Sequence, residues 1–394
     1  MEQLAPKTHE EFIKHAQQIG ALAEAEVNDS EQNAGFSEAF PQLIRAGHLN
    51  RLLRPRQYGG YGMGPRTFAE VIRTVARHSS AAAWLTYFIP LHEQWVSFLH
   101  PEARQEIFAS DGFIADIFSP IGRIEYVEGG VRISGQWNWG SGILFCEWVG
   151  LGAIVDVPGH GGPQPCLVTV NKSQFEVIRN WASFGLRGTG SHAVKVENVF
   201  VPWKMILPVI SAKKTLTPVG GDYDPTEPIY RQPFMPSFLL GFIAIALGGA
   251  ERITEELINR THKRERVIFG AKEWESPVSQ RNIAEIDAKR LSIERAYNSY
   301  IGRLEECVAS GQAILSEREE NQMGVTRATA VREASELALR AFELLAGAAA
   351  YQGDPIERFA RDLFMVRIHI AQIYEDHLVA YGRTIYGLSG HPLG

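Results

Sequence analysis

The 394 residues include 39 Lys and Arg against 45 Asp and Glu, a formal charge of −6, with 45% hydrophobic and 21% charged residues. That balance is ordinary for a globular chain able to bury a large core, and it gives no reason to expect nucleic acid or an anionic membrane as a partner. Cys146, Cys166 and Cys307 are few, odd in number and free of C-x-x-C spacing, which points to reduced thiols in a cytoplasmic protein and away from a disulfide scaffold or a cysteine zinc site.

Met1 to Gln18 mixes Glu, Lys and His with apolar residues and has no long apolar stretch, so no signal peptide is expected. Residues 1–110 read as a helical domain, with apolar residues at three- and four-residue steps in Phe12–Ile19 and in Phe68, Val71, Ile72 and Val75. The glycine cluster Tyr58–Gly64 follows a helix end and lacks G-x-G-x-x-G spacing, so it predicts a turn rather than a phosphate loop. No Rossmann fingerprint or P-loop occurs elsewhere. Residues 111–210 change character. Gly and Pro become frequent and β-branched residues alternate, as in Val131-Ile133 and Val194-Val196, predicting a compact antiparallel, barrel-like β domain. Residues 211–232 are rich in Pro, Gly and Asp and read as a loop or lid. Residues 233–394 return to long amphipathic helices and predict a helical bundle. Within them, Phe234–Ala250 is shorter than the ~20 residues that span a bilayer and predicts a helix buried on all sides. The fold class is therefore α+β, mainly α.

Five segments could carry chemistry. In Ser134–Gly142, strand alternation puts Trp137, Trp139 and Ser141 on one face, and aromatics beside an accessible hydroxyl suit a planar ligand; read alone, a core strand ending in a glycine turn is the stronger reading. In Trp181–Ser191 the glycines permit an irregular exposed backbone, and Thr189 and Ser191 offer hydroxyls. Arg264-Glu265-Arg266 stands near a helix end, where arginine suits either solvent or a bidentate phosphate contact. His369 lies on an apolar helical face beside Val366, Ile370 and Ile373, and His92 follows Ile89-Pro90-Leu91. Such histidines are commonly satisfied core residues. His369 and His377 lack an acidic third ligand at metal spacing, so no metal site is expected.

Taken in order, Tyr58–Gly64, Ser134–Gly142, Gly185–Pro202, Arg266–Gly270 and Tyr351–Asp362 resemble the acyl-CoA dehydrogenase superfamily along nearly the whole chain. The resemblance implies a N-terminal helical domain, a central β domain and a C-terminal four-helix bundle. It implies a flavin site in which Ser141 faces the N5 edge, Trp139 packs by the ring, Arg187, Gly188 and Thr189 lie alongside, and Arg266 and Phe269 clasp the flavin of a neighbouring subunit in a homo-oligomer, typically a tetramer. The dehydrogenases carry a catalytic Glu eight residues after the position of Asp362; here that place holds Ile370, preceded by His369. This departure resembles the two-component flavin-dependent monooxygenases, including those acting on p-hydroxyphenylacetate and on phenolic secosteroids. The resemblance then implies reduced FMN (or FADH2) from a separate flavin reductase, O2 activated as a flavin C4a hydroperoxide, and hydroxylation of an aromatic substrate ortho to its hydroxyl. His369 would be the general base and His92 would orient the phenol, with His92, Trp95 and Phe118 as substrate contacts. An oxygenase of sulfur, nitrogen or indole substrates, and an FAD-dependent dehydrogenase, are the alternatives.

Overall fold

In the computed structural model, which describes residues 7–266 and 270–390, six helices come first: α1 (His9–Ala25), α2 (Val27–Gln32), α3 (Ala39–Ala46), α4 (Pro65–Ala76), α5 (Ser80–Val96) and α6 (Pro101–Phe108). α1 opens on a capping box, in which Thr8 and Glu11 satisfy each other's backbone N–H groups. The Tyr58–Gly64 cluster is a turn, as expected. A side chain at Gly60 would collide with the Arg54 carbonyl, and Gly59 and Gly62 have φ of 72° and 52°.

Seven strands follow: β1 (Phe113–Val127), β2 (Gly130–Gly140), β3 (Cys146–Val155), β4 (Gln164–Asn171), β5 (Glu176–Ile178), β6 (His192–Pro202) and β7 (Ile206–Pro208), in the order β5-β6-β2-β1-β3-β4-β7. Two features differ from the expected antiparallel, barrel-like domain. The sheet is open, with β5 and β7 at its edges, and β1 pairs with β3 in parallel. The long β1 is shared between two half-sheets. Phe113–Gly122 pairs with β3, the register slips between Ile117 and Gly122, and Arg123–Val127 then pairs antiparallel with β2. Val131, Ile133 and Trp137 of β2 face inward, opposite Val201, Val199 and Val194 of β6.

The segment predicted as a loop or lid is packed down instead. It holds the helix α7 (Val209–Thr215), Arg104 binds the carbonyls of Gly221 and Asp222, and the buried Glu227 accepts from the Arg56 backbone at 3.0 Å and pairs with its guanidinium at 3.1 Å. Tyr230 donates to the Ser97 carbonyl.

The C-terminal part comprises α8 (Phe234–Phe238), α9 (Leu240–Lys263), a hairpin of β8 (Glu265–Arg266) and β9 (Ala271–Lys272), α10 (Pro277–Ser310), α11 (Glu317–Leu345), α12 (Pro355–Arg367) and α13 (Tyr374–Ile385). Among the described residues Phe234–Lys263 is the one helical stretch long and apolar enough to cross a membrane, and 89% of its apolar window is buried within the protein. Its glycines explain the close fit. A side chain at Gly241 would strike the Tyr87 ring on α5, and one at Gly248 the backbone of α4. α9 can therefore press against the N-terminal helices and carry Phe242 to α5.

Candidate active site

α5 begins at an N-cap, where Ser79 accepts from the Ala82 N–H, and is buried along almost its whole length. The Arg54 fork binds both Glu93 carboxylate oxygens, at 2.7 and 3.1 Å, and fixes the helix against the preceding turn. Trp84, Phe88 and His92 are four residues apart and so share one face. Trp84 and Phe88 are 4.9 Å apart, Phe88 and His92 5.5 Å. From β1, alternate residues Ile114, Asp116 and Phe118 turn toward this face, and Phe118 meets Phe238 edge-on at 5.3 Å. Phe242 of α9 lies 5.4 Å from Trp84 and 5.0 Å from His369, while His369 lies 5.5 Å from Trp84. The Trp84 indole N–H donates to Ser141 Oγ at 2.9 Å. His369, His92 and Ser141, singled out from sequence, are thus joined through Trp84 and Phe88.

The two imidazoles are held in opposite tautomers. His92 is 2% exposed, and its Nδ1 lies 2.6 Å from the Ile114 carbonyl, a contact that requires an N–H on Nδ1. Its Nε2 is left facing Asp116 Oδ2 at 3.3 Å, within ion-pair range but not aligned as a hydrogen bond. Neither atom has another hydrogen-bond partner among the described residues. Two bare acceptors do not rest side by side in a buried site, so a proton held by the pair, or a ligand hydroxyl, must satisfy them. His369 is the reverse case. The sequence placed it on a helix; α12 ends at Arg367, and His369 is extended (φ −60°, ψ 141°) at the start of the short 3-10 turn Ile370–Gln372. Its Nδ1 accepts the Ala371 N–H at 3.2 Å, so the neutral ring carries its proton on Nε2. Burial, and then the charge of Arg327, push its pKa down to about 4, with Asp116 opposing. Neutral His369 therefore offers a donor at Nε2, whereas the role expected of it needs an acceptor there. Ile370, at the position of the dehydrogenase Glu, is 80% exposed.

Trp137, Trp139 and Ser141 do not share a face as expected. A register slip between Trp137 and Gly140 breaks the alternation, with Trp139 at φ 73°. Trp137 is fully buried and donates to the Gly152 carbonyl, whereas Trp139 is 66% exposed. Ser141 heads a hydroxyl chain: Ser141 and Ser191 are 2.9 Å apart, Ser191 and Thr189 2.7 Å, and Thr189 donates to the Leu186 carbonyl at 2.9 Å. That final carbonyl sets the direction of every proton behind it. Ser141 must donate inward and accept from Trp84, which leaves an acceptor lone pair for a ligand N–H. A reduced flavin carries such an N–H at N5 and an oxidised flavin does not, so the residues fit the reduced cofactor, with the Trp139 indole free to pack by its ring.

Thr189 and Gly188 are buried behind Ser141, Gly188 against Ser30 of α2; they shape the site rather than face out. Arg187 donates to the Ser183 carbonyl and stays partly exposed. Asp362, its pKa raised to about 6 by burial, accepts the Leu186 N–H at 2.7 Å and ties this loop to α12. The Arg266 backbone pairs with Ala271; its side chain, and Phe269, lie outside the described residues. Trp95 is fully buried against Gly150 of β3, behind His92, whereas Phe118 is partly exposed within the aromatic wall. Among the described residues no group of His, Cys, Asp and Glu could hold a metal ion. Trp84, Asp116, Phe242 and Arg327 were not singled out from sequence; the four-residue step from Trp84 to His92 and the two-residue step from Asp116 to Phe118 were the available signals.

Residues 240–373 match the model of the acyl-CoA dehydrogenase C-terminal domain. Over 347 residues the chain is 29% identical to the flavin-dependent monooxygenase oxygenase subunit HsaA of Rhodococcus jostii, covering 86% of this chain and 88% of that one. It is 24% identical to the oxygenase component of p-hydroxyphenylacetate 3-hydroxylase of Acinetobacter baumannii, covering 97% and 90%. The crystal structure of 3-HSA hydroxylase from Rhodococcus sp. RHA1 superposes with a TM-score of 0.89 at 25% identity, over 98% of this chain and 99% of that one. The C-terminal third of the chain thus matches the acyl-CoA dehydrogenase C-terminal domain, and nearly the whole chain is similar to oxygenases of that fold. Its relatives over most of its length are oxygenase components, and the chain is a flavin-dependent monooxygenase of that type.

Proposed function

We propose that this protein hydroxylates a phenolic substrate beside its existing hydroxyl, taking reduced FMN or FADH2 from a separate flavin reductase. The observation that carries this reading is the pair of imidazoles with opposed, backbone-fixed tautomers inside one aromatic wall. Bound reduced flavin supplies the activation of O2. Ser141 accepts the cofactor N–H, and the rings of Phe88, Phe118, Phe238 and Phe242 keep water away. A phenol of pKa ~10 becomes nucleophilic as its proton leaves. The buried His92–Asp116 pair takes that proton, while the His369 Nε2–H offers a donor to the developing oxyanion. The enzyme works as a homo-oligomer, typically a tetramer, in which Arg266 and Phe269 reach a neighbour's flavin; the exposed Ile368, Ile370, Val379 and Tyr386 of the α12–α13 face support such burial.

The test is reconstitution with a flavin reductase, NADH, and separate panels of phenols, indoles and thioethers. One oxygen atom should enter a phenol for each NADH consumed. His92→Ala and His369→Ala should turn most of that flux to peroxide. Peroxide alone from every phenol, or product only from indoles or thioethers, overturns the reading.

A further inference from the structure

We infer that Arg327 is a positioning residue of this reaction, locking the turn that carries His369 and holding that imidazole uncharged. The inference rests on the reading that His369 faces the substrate. Arg327 lies on α11 and is 2% exposed. Its Nε donates to Gln372 Oε1 at 3.3 Å, its Nη1 to Tyr300 Oη at 3.4 Å, and its Nη2 to the Ala371 carbonyl at 3.1 Å. Nη2 is also 3.2 Å from His377 Nε2. Three of these four partners fall within residues 371–377, directly after His369. The two ends of one residue are engaged: the Ala371 N–H holds His369 Nδ1, and the Ala371 carbonyl receives the guanidinium. Movement of Arg327 is thus passed on to the imidazole through a single residue.

The choice of arginine here is informative. Among the described residues no carboxylate pairs with Arg327, and a buried cation with neutral partners alone is unfavourable. A clamp could be built from a neutral amide. The charge is explained by what surrounds His369. Trp84 of α5 and Phe242 of α9 are neutral rings. Asp116 of β1 favours the imidazolium, and Arg327 of α11 opposes it. His377 of α13, whose Nε2 also lies 3.0 Å from the Ala371 carbonyl, is itself pushed toward the neutral form, by burial and then by Arg327. Without the Arg327 charge, the nearest charged group left to His369 is a carboxylate, and an imidazolium would compete with substrate for it.

Two variants separate clamp from charge. Arg327→Gln keeps an amide but removes the charge; Arg327→Lys keeps the charge but cannot reach all four partners. Ring-15N histidine NMR, with His369 assigned from a His369→Ala spectrum, follows the titration, while product formed per NADH follows the chemistry. In Arg327→Gln the His369 titration should move up by about one unit, a tenfold shift in its protonation constant. The coupled reaction should then gain an acidic limb in its pH profile, with the KM for reduced flavin unchanged. In Arg327→Lys the titration should stay low while product per NADH falls, partial activity marking the conservative rescue. A folded Arg327→Gln whose His369 titrates as in the wild type overturns the proposal. Should that variant fail to fold, Arg327→Lys decides: wild-type coupling there overturns it equally. Failure of the hydroxylase reading would look different, since wild-type enzyme would then yield no hydroxylated phenol while the titrations still shifted.

Discussion

Replacing Ser141 with alanine cuts the hydroxyl chain at the end facing the cofactor. Two effects follow from the contacts present. On the protein side the Trp84 indole N–H loses its acceptor at 2.9 Å, while Ser191 keeps Thr189 as a partner. One buried donor left unsatisfied costs about 1–3 kcal/mol of folding stability. On the ligand side the variant loses the acceptor for the N–H of reduced flavin, a neutral hydrogen bond worth a net ~1 kcal/mol, or about fivefold in affinity. The oxidised flavin, which has no N–H there, should lose nothing by this route. The assay is an anaerobic titration of wild-type and variant protein with reduced FMN or FADH2, beside an aerobic titration with the oxidised forms. The expected result is a preference for reduced flavin that narrows by about that fivefold factor. Equal weakening of both redox forms, or none of either, would refute the proton ordering from Leu186 to Ser141.

Three further outcomes are expected. Asp116→Asn replaces the carboxylate facing His92 Nε2 with a neutral amide that cannot take up a proton; turnover of a phenol should fall by about 100-fold or more, with flavin affinity kept, and unchanged turnover would remove the pair from the reaction. Because the folded-state pKa of His369, about 4, lies below its ordinary 6.5, its contribution to stability is present above pH 6.5 and is lost as the pH falls toward 4. Urea unfolding of His369→Phe should therefore show a loss between pH 7 and pH 5 smaller than wild type's by about 2 kcal/mol. Arg54→Met strands the buried Glu93 and should cost about 3–5 kcal/mol in urea unfolding, much of it recovered in Arg54→Met/Glu93→Leu; equal losses in the single and double variants would deny the pair its place in fixing α5.

The order of helices, strands and helices was legible because hydrophobic period changes from three or four residues to two and back. His92, His369 and Ser141 could be chosen because the resemblance to the acyl-CoA dehydrogenases pointed to them; their local patterns alone read as core. What stayed hidden were features set by contacts between distant segments. The slip that turns Trp139 outward arises in the pairing of β2 with β6, and a single strand's alternation cannot reveal it. The parallel pairing of β1 with β3 likewise depends on how the chain returns to the sheet. The tautomers of the two histidines stayed hidden as well, because the deciding partners are a main-chain carbonyl at Ile114 and a main-chain N–H at Ala371. Asp116 reads as one polar residue in a strand until His92 is placed across from it.

Those main-chain partners have an evolutionary consequence. A tautomer fixed by a side chain is lost when that side chain drifts, but every residue except proline presents the same N–H at position 371, and every residue the same carbonyl at position 114. The tautomers of the two rings are therefore insulated from substitution at those partners, while the rings of Phe88, Phe118, Phe238 and Phe242 around them are free to change size. A scaffold with this division can reshape the cavity by trimming its walls without disturbing the orientation of the two imidazoles.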